Sequence, residues 1–147
     1  MKTLIILIIS LISFSITRAQ TDTWTQKASF GGIARSEAVS FTIGDKAYVG
    51  LGALSIPEGV EFWEYDPIAD VWTQKADFDG IERRHAVAFS IDNIGYVGTG
   101  LFFNAICLKD FYAYDPVYNS WTQKSDFGGP ECAGAVAFSL NGKGYVG

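Results

Sequence analysis

The sequence is poor in the residues from which metal and redox centres are built. Its 147 residues include one histidine, His85, and two cysteines, Cys107 and Cys132. No Cys-x-x-Cys pair occurs, and a single histidine leaves too few ligands for a transition-metal site. Two cysteines do not form a disulfide scaffold, although export would permit them to pair. The sequence therefore predicts no metal site and no cofactor.

Runs of basic residues are also absent. Eleven lysines and arginines stand against sixteen acidic residues, which gives a formal charge of -5. An acidic surface repels both the phosphates of nucleic acids and the headgroups of anionic membranes. We therefore expect no nucleic acid among the partners, and no membrane for the mature form.

The one long apolar stretch lies at the start of the chain. Lys2 precedes an apolar run from Leu4 to Ile12, and a segment of small residues ends at Ala19. This order is typical of a cleaved signal peptide, and the run is shorter than the roughly 20 residues that a spanning helix needs. The sequence predicts a signal peptide over residues 1–19 and a secreted, periplasmic or cell-surface protein. Its removal takes away two basic residues and changes the charge from -5 to -7.

What the chain has in abundance is repetition. Trp-Thr-Gln-Lys begins at residues 24, 72 and 121, and Tyr-Val-Gly begins at residues 48, 96 and 145. Between these phrases lie short apolar and aromatic runs that end in Asp-Asn, Gly or Asp-Pro turns, and helical spacing is absent. In the second unit the pattern predicts strands over 86–91, 95–100, 110–115 and 120–126. Each repeat of about 48 residues is thus expected to be a four-stranded antiparallel unit.

One such unit cannot bury both of its apolar faces, whereas stacked units can, which is the logic of a β-propeller. The repeat resembles the kelch repeat in its glycines after the second strand (Gly98 and Gly100), the aromatic before Asp-Pro (Tyr114) and the tryptophan of the fourth strand (Trp121). It departs from kelch in that the glycines are not adjacent. We expect an all-β propeller of four-stranded antiparallel blades, similar to exported bacterial kelch proteins.

The strand count predicts an incomplete propeller of about two and a half blades within residues 20–147. A lone fourth strand is expected over 20–30, blades over 33–79 and 81–128, and a partial blade over 130–147. Because an open array exposes sheet edges, the remaining blades are expected from a longer chain, of which this is the N-terminal fragment, or from other subunits. A truncated gene product without activity is the third alternative.

Chain direction places the loops between blades at the same rim as the loops between second and third strands, and loops carry function more often than strands. Four polar candidates lie there: Arg35, Arg83, Arg84 and His85. The kelch resemblance implies that Arg35 and Arg83 face a central pocket and bind acidic ligands. The alternative is that these arginines bind loop carbonyls or pair with an acid. Similarly, His85 is either a catalytic base or a hydrogen-bonding loop residue.

Residues 101–109 are unusually apolar for a loop on this rim. Phe102 and Phe103 either form a partner-binding patch or fold back over the blade. Cys107 and Cys132 fall in adjacent loops of the same rim, where a disulfide is conceivable. Because a site unique to this protein should break the repeat, the expected site residues are those at 83–85, 101–108 and 132.

The resulting functional hypothesis is a noncatalytic exported module that binds a protein or a glycan through this rim. The kelch resemblance leaves an enzyme open as the alternative. A galactose-oxidase-like enzyme needs several His and Tyr copper ligands, which one histidine does not supply. A sialic-acid-mutarotase-like enzyme needs only positioned acids and bases, with which Glu37, Arg83 and His85 are compatible. No catalytic residue is assigned.

Overall fold

The computed structural model describes residues 23–54, 59–103 and 106–147, and the regular structure in them is all β. The predicted signal peptide over 1–19 lies outside the described residues. Within the described ranges, no helix has the length and apolar character needed to cross a membrane.

The first blade is a four-stranded antiparallel sheet with its strands in chain order. Its strands are β1 (Val39–Ile43), β2 (Lys46–Gly50), β3 (Phe62–Asp66) and β4 (Val71–Gln74). The turn from β3 to β4 forms because the Asp66 carboxylate accepts hydrogen bonds from the amides of Ile68 (2.8 Å) and Ala69 (3.0 Å). This local bond is the usual reason why Asp-Pro starts a turn.

The second blade repeats this arrangement with one addition. Its first two strands are β5 (Val87–Ile91) and β6 (Ile94–Gly98), a short hairpin of β7 (Leu101–Phe102) and β8 (Ile106–Cys107) follows, and β9 (Phe111–Asp115) and β10 (Ser120–Lys124) complete the sheet. A further antiparallel hairpin consists of β11 (Ala137–Leu140) and β12 (Lys143–Val146).

Aromatic side chains form the core between the first and second blades. Phe62 of the first blade packs against Trp121 of the second with ring centroids 4.8 Å apart, and Tyr48 packs against Tyr114 at 5.5 Å. All four rings are buried. Gly95 of β6 lies directly over the ring of Phe41, where a Cβ atom would overlap it. The two sheets can approach closely because this position carries no side chain.

The separated glycines of the repeat have two different tasks. A Cβ at Gly50 would lie 2.5 Å from the Phe62 ring, so the first glycine makes room for β3. The second glycine has positive φ, at 91° for Gly52 and 102° for Gly100, which glycine adopts at low cost. Its amide donates to the next blade, from Gly52 to the Arg83 carbonyl (3.0 Å) and from Gly100 to the Cys132 carbonyl (2.8 Å).

Residues 23–30, part of the predicted lone strand over 20–30, form no strand in the structure. A strand requires a neighbour to receive its hydrogen bonds, and the described part of the chain places none beside this segment. Its end is held by side chains instead. Asp70 accepts from the Ala28 amide (3.0 Å), and Trp72 Nε1 donates to the Ala28 carbonyl (3.2 Å).

Candidate functional site

The loops between blades and the loops between second and third strands meet at one rim. Three isolated antiparallel bridges join them, between Ser36 and Ala53, between Arg84 and Leu101, and between Leu108 and Cys132. We call this edge, formed by the described residues of 31–38, 51–61, 79–86, 99–110 and 128–136, the loop rim. The candidate site residues all belong to it.

Arg83 is fully buried in the loop rim. Its guanidinium makes a bidentate pair with Asp110, from Nη1 to Oδ1 at 2.6 Å and from Nη2 to Oδ2 at 2.8 Å. Nη1 also donates to the Thr99 carbonyl (3.1 Å), Nε donates to the Ile81 carbonyl (2.9 Å), and the group lies 5.0 Å from the Phe78 ring centroid. The guanidinium of Arg83 is therefore hydrogen-bonded to groups of the protein itself.

Arg35 makes the corresponding contacts in the first blade. Nη2 pairs with Glu61 Oε2 at 2.6 Å, while Nε and Nη1 donate to the carbonyls of Ile33 and Leu51, each at 3.2 Å. Only 4% of its side chain is exposed. Both arginines therefore fit the alternative in which they bind loop carbonyls and an acid. Ligand contact by Arg35 and Arg83 stays a prediction that this geometry does not favour.

An open recess of about 380 Å³ borders Arg35 on the first blade. It is lined by Ala34, Arg35, Ser36, Ala53 and Leu54. Among the described lining residues, the charged one, Arg35, already has Glu61 as its partner. This part of the lining therefore leaves no charged group without a partner.

The next two positions of the repeat carry a different arrangement. Glu37 Oε2 lies 3.4 Å from Arg84 Nε and 3.4 Å from His85 Nε2, so a carboxylate of the first blade meets two basic groups of the second. The side chains are 34%, 27% and 45% exposed, respectively. We call these three residues the rim cluster. Unlike Arg83, they present donors and acceptors to solvent.

The rim cluster occupies positions at which the three repeats differ. Ser36 aligns with Arg84 and with Ala133 of the third loop, while Glu37 aligns with His85 and Gly134. The backbone is left-handed at all three aligned positions, with φ of 57° at Glu37, 52° at His85 and 70° at Gly134. A conformation natural for glycine is therefore held by two residues with functional side chains.

The apolar segment at 101–109 was expected to be a loop, and the structure forms the β7–β8 hairpin there. At the base of this hairpin, the Arg84 amide donates a hydrogen bond to the Leu101 carbonyl (3.0 Å), and the Leu101 amide donates one to the Arg84 carbonyl (2.8 Å). Phe102 is half-buried, whereas Phe103 is 63% and Ile106 55% exposed. Part of the segment folds back, and part faces solvent.

Cys107 and Cys132 are both free thiols in this structure, and their pairing stays a prediction. The residue opposite Cys132 in the bridge is Leu108. Since successive residues of an extended segment point to opposite faces, Cys107 and Cys132 direct their side chains apart although their loops are adjacent. In the ranges that the structure describes, no three His, Cys, Asp or Glu side chains gather as a metal site would require.

Ionisable groups with shifted pKa lie away from the rim cluster. A hydrogen bond to Lys46, followed by the amides of Ala69 and Ile68, lowers the pKa of Asp66 to about 2. The Ala28 amide and then the Tyr65 hydroxyl lower the pKa of Asp70, and its bond to Asp70 raises the pKa of Tyr65 to about 12. These shifts belong to turns and to the attachment of residues 28–30.

Comparison with known proteins identifies the architecture. No protein-family model matches the chain, and no curated protein matches it. A solved structure titled "Structure of YjhT", a kelch-type propeller, is similar with a TM-score of 0.70 and 28% sequence identity. The match covers 82% of this chain and 35% of that one, so this chain spans about a third of the neighbour's length.

The chain has a kelch-like β-propeller fold made of four-stranded antiparallel blades. The predicted fold class is thereby confirmed, with two four-stranded blades and one further hairpin in the described residues. The sequence identified Arg84 and His85 as ligand-binding candidates, whereas Glu37 was named only as compatible with a mutarotase-like enzyme. Glu37 could have been found by aligning the repeats, because it falls at the same position as His85.

Proposed function

We propose that this chain is part of an exported, noncatalytic propeller that binds a protein or glycan ligand through the loop rim. The observation that carries the proposal is the rim cluster of Glu37, Arg84 and His85, which is exposed and breaks the repeat. Arg35 and Arg83, which are shared by two repeats, are engaged inside the protein. A position that recurs in every blade is explained by blade packing, whereas a position that differs is available for recognition.

The β7–β8 hairpin adds apolar contact area next to the rim cluster. Its first strand is hydrogen-bonded to the backbone of Arg84, and Phe103 and the first residue of β8, Ile106, are exposed. An aromatic anchor beside polar groups is typical of a recognition surface. The proposed site thus combines the polar rim cluster with the apolar β7–β8 hairpin, which is hydrogen-bonded to Arg84.

Export and further blades belong to the same proposal. Residues 1–19 have the order of a signal peptide, and the β11–β12 hairpin exposes Phe138 (54%) and Tyr145 (43%). The equivalent pair in the first blade, Phe41 and Tyr48, is buried, and the pair in the second blade, Phe89 and Tyr96, is half-buried. Other blades, from a longer chain or from other subunits, are the proposed cover for this face.

Arg84→Ala tests the binding proposal. The full chain is screened against a glycan array and a phage-displayed peptide library, and the affinity of the best ligand is then measured by calorimetry. Loss of one exposed guanidinium from the site should weaken binding at least about tenfold, equivalent to about 1.4 kcal/mol. Lys143→Ala removes the same charge from the opposite rim and should leave affinity unchanged. Equal affinities for Arg84→Ala and the unaltered chain would contradict the proposal.

A kelch-type carbohydrate-active enzyme is the second candidate, supported by the 3.4 Å approach of the Glu37 carboxylate to the His85 imidazole. An acid and a base at this separation could exchange protons with a bound sugar. Magnetisation-exchange NMR of reducing sugars distinguishes the candidates. Accelerated anomer exchange that is lost in His85→Ala favours the enzyme, while saturable binding without acceleration favours the binding module.

A further inference from the structure

We infer that the rim cluster recognises the vicinal hydroxyl groups of a neutral sugar, and that Glu37 is a specificity-determining residue of this site. The inference rests on the proposed function, since it names the ligand class for the same surface. It is argued from charge pairing, hydrogen-bonding capacity and backbone conformation.

In the described residues of the loop rim, every arginine already has a carboxylate partner, so none is left to pair with an acidic ligand. In the part of the chain that the structure describes, all three arginines face a carboxylate. The pairs are Arg35 with Glu61, Arg83 with Asp110, and Arg84 with Glu37. An incoming carboxylate or sulfate would have to displace Glu37 from Arg84 while lying close to the negative charge of Glu37. Charge complementarity therefore disfavours acidic sugars.

The rim cluster contains both hydrogen-bond donors and hydrogen-bond acceptors. The Glu37 carboxylate only accepts hydrogen bonds and the Arg84 guanidinium only donates them, while the His85 imidazole adds two ring nitrogens that can take part in hydrogen bonds. Each hydroxyl of a sugar can both donate and accept. Two neighbouring hydroxyls can therefore donate to Glu37 and accept from Arg84 or His85 together. The cluster suits a neutral diol without requiring a compensating charge.

The backbone conformation at Glu37 and His85 also bears on the inference. Left-handed φ values of 57° and 52° are disfavoured for residues with a Cβ atom, and Gly134 occupies the aligned position in the third loop. Strained non-glycine residues are found preferentially at ligand sites. Glycine at either position would relieve the strain but would remove the side chain that faces the other blade. The left-handed conformation itself recurs in all three loops and at turn residues such as Asp70 and Asn119, so what distinguishes Glu37 and His85 is that both keep a polar side chain there.

The test measures binding of named sugars to the full chain by calorimetry. Lactose and cellobiose are the neutral probes, and N-acetylneuraminic acid and glucuronic acid are the acidic probes. We expect at least one neutral probe to bind tenfold or more tightly than either acid. Glu37→Gln keeps the shape of the side chain and should weaken neutral binding about tenfold while improving acid binding. Glu37→Gly should weaken neutral binding and raise the melting temperature, which a purely structural contact would not do.

The outcomes distinguish the neutral-diol inference from the binding function and from the role of Glu37. Tighter binding of an acidic probe that depends on Arg84 would overturn the neutral-diol inference but leave the binding function in place. Peptide binding that depends on Arg84, with no sugar bound, would do the same. Absence of any ligand whose binding depends on Arg84 would overturn both. Unchanged neutral affinity in Glu37→Gln would remove Glu37 from the specificity site alone.

Discussion

At the scale of single residues, two adjacent arginines have opposite roles. Arg83 is fully buried against Asp110, while the neighbouring Arg84 reaches the exposed Glu37. The sequence alone could place both at the loop rim but could not say which one points inward. A usable signal was present, because an acid precedes the first residue of the third strand in both complete blades, as Glu61 and Asp110. Each of these acids is the partner of the repeated arginine.

Asp70 and Asn119 provide a matched pair for a pH prediction. Each accepts a backbone amide of the preceding segment, from Ala28 and Ala76 respectively, and only Asp70 titrates. Because the pKa of Asp70 is lowered in the folded state, its stabilising contribution is present above the unfolded value of about 4 and is lost as pH falls through the folded value. Attachment of residues 28–30 should therefore loosen in acid.

The indole Nε1–H signal of Trp72, which donates to Ala28, reports this attachment by NMR as the pH is lowered through and below about 4. Asp70→Asn should shift the acid transition of this signal to lower pH or abolish it. Asn119→Asp should introduce a corresponding transition at Trp121, which donates to the Ala76 carbonyl. An unchanged Trp72 transition in Asp70→Asn would show that another group controls it.

At the scale of strands, period-two patterning and turn residues were sufficient for the fold class. The second strand of the second blade was expected over 95–100, and β6 covers Ile94–Gly98. The structure ends it earlier because Thr99 and Gly100 turn to positive φ and direct the Gly100 amide to the next blade. The β7–β8 hairpin was not expected, since two strands of two residues each give too short a pattern to detect.

A glycine substitution tests the close approach of strands from different blades. Gly95→Ala places a methyl group against the Phe41 ring, and such overpacking typically costs about 1–3 kcal/mol. Gly128→Ala is the control, because apart from its chain neighbours no described residue has an atom within 4 Å of the added Cβ. Urea unfolding should show a loss for Gly95→Ala and little change for Gly128→Ala. Equal stability of the two variants would mean that the blades are not packed this closely.

At the scale of the whole molecule, the same contacts join successive units twice. Ala28 is held by Trp72 as Ala76 is held by Trp121, and the Gly52 amide binds the second blade as the Gly100 amide binds the third. Repetition in the sequence therefore corresponds to repetition of interfaces. Function could not be predicted with the same certainty, because a repeated pattern specifies packing and the rim cluster lies where the pattern changes.

The central claim is that the repeated arginine holds the blade together, whereas the repeat-breaking arginine beside it contributes little to stability. The most direct measurement is the free energy of unfolding in urea for Arg83→Ala and Arg84→Ala. Arg83→Ala leaves Asp110 without its buried partner and should cost about 3 kcal/mol or more, whereas Arg84→Ala removes a partly exposed ion pair and should cost about 1 kcal/mol or less. A stable Arg83→Ala variant together with a strongly destabilised Arg84→Ala variant would contradict the account.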